Sequence, residues 1–215
     1  MQHEAGPSTR LRTGLYAITG GPRDDLLAAV HAALQGGASL LQYRDKTRDA
    51  DRRLREARAL AMLCREFDVP LIINDDVELA LASGANGVHV GEDDAGIADA
   101  RIALGETAII GASCYDSLQR ARDAVQADVD YLAFGAFFPT TSKTVTRYAR
   151  PALLREARAF GLPLVAIGGI TPDNGRPLID AGADFLAVIS GVFGAIDIRA
   201  AARQYAELFD TDRGG

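Results

Sequence analysis

Three cations and a small set of carboxylates carry most of the chemistry available to this chain. Arg44 and Lys46 stand in Gln42-Tyr43-Arg44-Asp45-Lys46, and Lys143 closes Pro139-Thr140-Thr141-Ser142-Lys143. Cations alone would suit a phosphate clamp. Carboxylates beside them, in Asn74-Asp75-Asp76 and Glu92-Asp93-Asp94, make sense if a hard divalent ion bridges protein and diphosphate. Mg2+ does this with one or two carboxylates plus phosphate oxygens. Asp75 reads as a ligand, whereas Asp76 reads as the cap of a helix beginning at Val77. Pattern does not choose among Glu92, Asp93 and Asp94. Gly168-Gly169 and Ile189-Ser190-Gly191 supply a second kind of feature, glycine-containing turns whose backbone N–H groups can cradle phosphate.

Other chemistries lack their parts. His89 lies between Val88 and Val90 in an apolar stretch and reads as a satisfied strand-end histidine rather than a general base. No Ser-His-Asp or Cys-His set assembles, so hydrolysis through an activated nucleophile is unsupported. Lys46 and Lys143 sit in polar loops, which speaks against a Schiff-base aldolase. Cys64 and Cys114 fall in apolar periodic segments and are expected to be buried free thiols, too few for a metal-thiolate site.

The elements that must position these residues are regular. Eight short apolar runs occupy 15–18, 40–43, 71–73, 87–90, 108–111, 131–134, 164–167 and 185–189. They show no polar alternation, as expected of parallel strands buried on both faces. Stretches with helical spacing lie between them, at 24–35, 51–67, 77–82, 117–125, 151–160, 172–181 and 198–209. Several of these end in Gly-Ala just before the next strand, as in Gly84-Ala85 and Gly182-Ala183, where glycine can take the left-handed conformation that stops a helix. An open α/β sheet would carry a glycine-rich nucleotide loop after its first strand, and Thr19-Gly20-Gly21-Pro22 is not one. Eight β-α units predict a single-domain (β/α)8 TIM barrel over residues 14–210, following a flexible tail at 1–13. The cations, carboxylates and glycine turns named at the outset then fall at the C-terminal ends of strands, where such barrels build their active sites.

Composition narrows the partners. The 215-residue chain is 48% hydrophobic and carries a formal net charge of −6, which argues against nucleic acid, since phosphate backbones demand a surplus of Lys and Arg. No apolar run approaches a membrane span, and residues 1–12 lack the apolar core of a signal peptide, so a cytoplasmic location is expected. Association into a homo-oligomer is left open.

Taken in order, these motifs closely resemble the thiamine-phosphate synthase family, whose members join the pyrimidine and thiazole halves of thiamine. The resemblance runs from Leu15-Tyr16-Ala17-Ile18-Thr19 to Val188-Ile189-Ser190. It is most specific in residues 42–46, 73–80 and 89–95, with the 135–143 loop and Ile167-Gly168-Gly169-Ile170 in register. It implies a transferase that forms a C–N bond, releases pyrophosphate and uses Mg2+. By that resemblance the segment Gln42, Tyr43, Arg44, Asp45 and Lys46 holds the pyrimidine diphosphate together with Asn74, Ser113 and Lys143. Arg44, Lys46, Lys143 and Ser113 would act on the departing diphosphate. Asp75 and Asp94 would be the metal ligands, register here making the choice that spacing does not. Thr140, Thr141, Ser142, Gly168, Ile189 and Ser190 would bind the thiazole phosphate, although Thr141 stands where some members carry an acidic residue. The nearest rival in the family is a thiazole tautomerase, which needs no complete diphosphate and metal set; a non-catalytic binder of phosphorylated metabolites is the rival from another class.

Overall fold

Each strand pairs in parallel with its neighbours in sequence, and β1 (Gly14–Ile18) closes on β8 (Phe185–Val188), so the sheet is a barrel with no free edge. Between them run β2 (Ala38–Tyr43), β3 (Leu71–Asn74), β4 (Gly87–Val90), β5 (Ile109–Tyr115), β6 (Tyr131–Gly135) and β7 (Leu164–Ile167). The computed structural model describes residues 11–91, 96–140 and 148–212. Helices alternate with the strands: α1 (Leu26–Gln35), α2 (Ala50–Glu66), α3 (Val77–Ser83), α4 (Ile97–Leu104), α5 (Leu118–Gln126), α6 (Pro151–Ala157), α7 (Pro172–Asp180), α8 (Ser190–Phe193) and α9 (Ile198–Ala206). No helix among the described residues is long and apolar enough to cross a membrane.

The absence of polar alternation in the strands has the expected cause, since both faces are buried. One face meets the helices in an outer layer that includes Leu41, Ile73, Val88, Ile110, Phe134 and Leu186. The other fills the barrel with Tyr16, Leu40, Ile72, Ile109, Tyr131, Val165 and Phe185, a packed interior rather than a pore. Leu11, just before β1, packs against this interior cluster. Cys64 and Cys114 are buried free thiols, and burial pushes each up to about 12, so neither is a ready nucleophile.

A repeated device fixes the N-terminal ends of the strands. Asn86, Asp130 and Asp184 directly precede β4, β6 and β8, and their side chains accept the backbone N–H of Leu71, Ile110 and Leu164 at 2.9, 2.7 and 2.8 Å. Each thereby ties an even-numbered strand to the start of an odd-numbered one. Gly84 ends α3 in the left-handed conformation (φ +71°), as its place before Ala85 predicts.

Two helices lie outside the periodic pattern. Helix α4 fully buries only Ala100, with Ile97 and Leu104 partly buried against the core, while Ile102 on its opposite side is 82% exposed and blurs the stripe. Helix α8 spans four residues, about one turn, too short to show a period. Strand β8 ends at Val188, one residue short of the expected run 185–189, and Ile189 is the residue that precedes α8.

Candidate active site

A cavity of about 750 Å³ opens at the C-terminal ends of the strands and receives side chains from all eight. Alternation along a strand decides which residues enter it, because successive side chains point to opposite faces. On the first strands Tyr16 and Ile18, Gln42 followed by Arg44 and Lys46, then Asn74, take the inward parity. His89 and Gly91, Ser113 and Tyr115, Gly135, Ile167, Ala187 and Ile189 continue it around the barrel.

The same parity sends Tyr43 and Asp45 outward, and neither lines the cavity. Tyr43 is buried against α2, with its hydroxyl donating to Glu56 at 2.6 Å. Asp45 has a side chain with no exposure and holds Arg52 at 2.6 Å while accepting the N–H of Thr47 at 2.8 Å. Burial works to raise its pKa, but the Thr47 and Arg52 contacts outweigh that and hold the carboxyl below the usual carboxylate range. Of the five-residue segment, the structure therefore brings Gln42, Arg44 and Lys46 to the cavity and uses Tyr43 and Asp45 to anchor the strand to α2.

Arg44 follows β2 and is fixed through its backbone. Thr19, buried at the end of β1, accepts the N–H of Arg44 at 2.8 Å, and its hydroxyl reaches the carbonyl of Arg44 at 3.2 Å. Sequence reading missed this role; the only signal was a lone hydroxyl ending an apolar strand. Lys46 extends to 3.6 Å from Asp75, and Asn74 donates to the same carboxylate. Asp75 adopts φ +63°, a left-handed conformation costing a non-glycine residue about 1–2 kcal/mol. Its N–H is held by the carbonyl of His89 at 2.9 Å. Asp76 caps α3 by accepting from Leu79 at 2.8 Å and pairs with Arg53, as its position before Val77 predicts.

Ser113 and His89 meet above the barrel floor. His89 engages Ser113 through Nε2 and Tyr131 through Nδ1, each at 2.9 Å, which fits a satisfied strand-end histidine. Two further residues line this side and were not singled out from sequence. Tyr115 sits at φ +54°, and the Arg120 guanidinium lies 5.4 Å from the centre of its ring. The pairing of β5 with β6 shifts register between Ser113 and Tyr115, a bulge that no residue pattern announces.

The opposite side is built from glycines and the start of α8. Gly168 (φ +101°) and Gly169 (φ +65°) let β7 turn directly beneath the loop that follows β6. A Cβ at Gly168 would stand 2.4 Å from that of Ala136, and one at Gly169 would stand 2.3 Å from the carbonyl of Pro139. Phe138 donates to the carbonyl of Gly168 at 3.0 Å, and Ala149 to that of Ala136 at 2.8 Å, closing the base of the loop that carries Thr140 to the cavity. Ile189, Ser190 and Gly191 line the same wall, and N–H groups in a helix's first turn have no intrahelical partner. Thr141, Ser142, Lys143 and Asp94 lie outside the described residues.

One half of the cavity thus presents cations, amide and hydroxyl donors and a carboxylate, and the other presents backbone. Among the described residues no cluster of three or more His, Cys, Asp or Glu forms a closed metal site. Asp75 fits an open one: its carboxylate is partly exposed and held at the cavity wall beside Lys46. Mg2+ bound to a diphosphate asks for little more from the protein.

Known proteins match this arrangement. Residues 15–192 match the family described as thiamine monophosphate synthase. The thiamine-phosphate synthase of Marinobacter nauticus is 52% identical over 206 residues, covering 94% of this chain and 93% of that one. That of Nitrosococcus oceani is 54% identical over 200 residues, covering 91% and 92%. Among solved structures, the thiamine phosphate pyrophosphorylase of Pyrococcus furiosus superposes with a TM-score of 0.84 at 35% identity, covering 94% and 98%. With its barrel, its two-sided cavity and these relatives, the chain belongs to the thiamine-phosphate synthase family of transferases.

Proposed function

We propose that the chain joins an aminopyrimidine carrying a CH2-diphosphate to the ring nitrogen of a thiazole phosphate, releasing pyrophosphate. The observation that carries this reading is one cavity with two chemically different walls. Arg44, Lys46, Asn74, Asp75 and Ser113 stand on one side, and Gly168, Ile189 and Ser190 on the other. The first wall suits a diphosphate with its metal, the second a monophosphate held by backbone N–H groups. By its place in the sequence Lys143 adds a cation to the diphosphate side, and Thr140, Thr141 and Ser142 add donors to the monophosphate side.

Asp75 and Asp94 would hold Mg2+, which when bound neutralises charge on the diphosphate oxygens. The protein's own groups do the rest. As the C–O bond breaks, negative charge grows on the leaving diphosphate, where Arg44 and Lys46 stabilise it and Ser113 can donate a hydrogen bond. The aminopyrimidine ring supports positive charge on the departing CH2, so an SN1-like path fits. The nucleophile is an aromatic nitrogen and needs no deprotonation, in keeping with a site whose one histidine has both ring nitrogens engaged. A carboxylated thiazole would lose CO2 in addition. Small-molecule substrates and a cytoplasmic location complete this reading.

The division into two walls makes a selective prediction. Arg44→Ala should raise KM for the pyrimidine diphosphate about 10-fold or more, and Ser190→Ala should do so for the thiazole phosphate, each leaving the other KM nearly unchanged. Steady-state kinetics with one substrate varied at a time checks this. Equal effects of Arg44→Ala on both constants would contradict the two-walled reading.

A further inference from the structure

Five polar side chains, each from a different strand, form one continuous hydrogen-bonded chain across the barrel. Gln42 Nε2 donates to Tyr16 Oη at 2.8 Å, and Tyr16 Oη lies 2.9 Å from Tyr131 Oη. Tyr131 Oη lies 2.9 Å from His89 Nδ1, and His89 Nε2 lies 2.9 Å from Ser113 Oγ. Tyr16 and Tyr131 are buried, and the Tyr131 ring fits only because Gly111 lacks a side chain: a Cβ there would stand 1.9 Å from it. The His89 ring stacks on that of Tyr131, 5.6 Å away and tilted by 20°. Burial pushes both phenols well above their usual range, so each keeps its single hydrogen. The two ends, Gln42 and Ser113, both line the cavity.

Counting hydrogens limits what this chain can be. Each hydroxyl has one to give, and a neutral imidazole has one N–H and one acceptor nitrogen. Either end then dictates all four bonds: a Ser113 that keeps its hydrogen enforces one sense, and a Gln42 that accepts from Tyr16 enforces the opposite one. In the forward sense Gln42 donates to Tyr16, Tyr16 to Tyr131, and Tyr131 to His89 Nδ1. His89 Nε2–H then donates to Ser113, whose own hydrogen is left for the cavity, while Gln42 faces the cavity with Oε1. In the reverse sense the carboxamide is turned over and every bond flips. Ser113 then spends its hydrogen on His89, and Gln42 presents its NH2.

We infer that this chain couples the two ends of pyrimidine diphosphate recognition: an anion that accepts from Ser113 sets the forward sense, leaves Gln42 Oε1 as an acceptor, and so selects a ring bearing an amino donor over the same ring bearing an oxygen. The inference rests on the placement of the pyrimidine diphosphate proposed above. Tyr16, Tyr131 and His89 are positioning residues, acting through Gln42 and Ser113. A ring with an oxo group in place of the amino group meets Oε1 acceptor to acceptor. Turning Gln42 over relieves that clash only by reversing the whole chain, which takes the Ser113 hydrogen away from the diphosphate. A site built around such a bond rejects the wrong partner strongly.

The test compares the aminopyrimidine diphosphate with its oxo analogue in the wild type, Tyr131→Phe and Tyr16→Phe, reading the ratio of kcat/KM values. The wild type should favour the amino substrate by at least about 100-fold. Cutting the chain in either variant frees Gln42 to turn without cost at Ser113, and the ratio should fall about 10-fold or more. An unchanged ratio in a variant with wild-type circular dichroism and unfolding midpoint would overturn the inference, since general loosening of the barrel would weaken both substrates alike. A second measurement needs no variant and no turnover: 15N NMR of the imidazole with inorganic pyrophosphate bound. His89 is expected as the Nε2–H tautomer, and an Nδ1–H tautomer would overturn the chain's direction. A wild type that turns over neither substrate would contradict the proposed function instead, and the tautomer would still decide the chain.

Discussion

At the scale of single residues, the site is organised by small constraints on a few side chains. Thr19 clasps the backbone of Arg44 on both its N–H and its carbonyl, so the guanidinium leaves the strand from a fixed point. Asp75 is held with φ +63° by its bond to His89, a strain that persists because its surroundings over-determine it. Its carboxylate faces the cavity with Lys46 and Asn74 at hand, so Asp75→Ala should cut kcat about 100-fold or more while costing the fold only about 1 kcal/mol, from Ala at a left-handed position. Near wild-type turnover of that variant at limiting Mg2+ would remove Asp75 from the metal. Asp45 makes the opposite kind of contribution. Its folded pKa lies below the unfolded value near 3.9, so the ionised carboxylate stabilises the fold above that pH and the gain is lost as pH falls through the folded pKa. Asp45→Asn should cost about 1–3 kcal/mol near neutrality, and the difference from wild type should shrink below about pH 4, as urea unfolding at both pH values would show. A difference that stayed constant across that range would mean that the charge is not what Arg52 and Thr47 hold.

At the scale of elements, the two ends of the strands have separate tasks. The C-terminal ends supply the cavity, while Asn86, Asp130 and Asp184 staple the N-terminal ends by accepting a backbone N–H at the start of a neighbouring strand. Asp184→Ala should leave the buried Leu164 N–H without its acceptor, at a cost of about 1–3 kcal/mol. Both KM values should hold, because the staple sits at the far end of β8 from the cavity. Thermal unfolding alongside steady-state kinetics checks this, and a large rise in either KM without loss of stability would contradict the division of labour. The strands and most helices were evident in the sequence because each has a buried face to advertise. Helix α4 was not, since the exposed Ile102 blurs the stripe that Ile97, Ala100 and Leu104 turn to the core. The bulge in β5 between Ser113 and Tyr115 was not either, because it changes register without changing composition.

At the scale of the whole molecule, the barrel converts scattered motifs into one cavity. Ten of the residues that line it were named from the sequence: Gln42, Arg44, Lys46, Asn74, Asp75, Ser113, Thr140, Gly168, Ile189 and Ser190. It placed Tyr43 and Asp45 with them because a contiguous motif conceals the alternation of a strand, which sends those two to α2. It passed over Tyr16 and Tyr131, whose hydroxyls meet 2.9 Å apart although 115 positions separate them in the chain. Closure of the barrel alone makes them neighbours. Every step of the account depends on both substrates meeting in that one space, with diphosphate leaving one wall as the thiazole nitrogen arrives from the other. The most direct measurement is therefore pyrophosphate release by the purified protein given both substrates and Mg2+, with each substrate withheld in turn. Pyrophosphate and thiamine phosphate are expected to form in equal amounts only when both substrates and Mg2+ are present. No pyrophosphate from the complete mixture would contradict it.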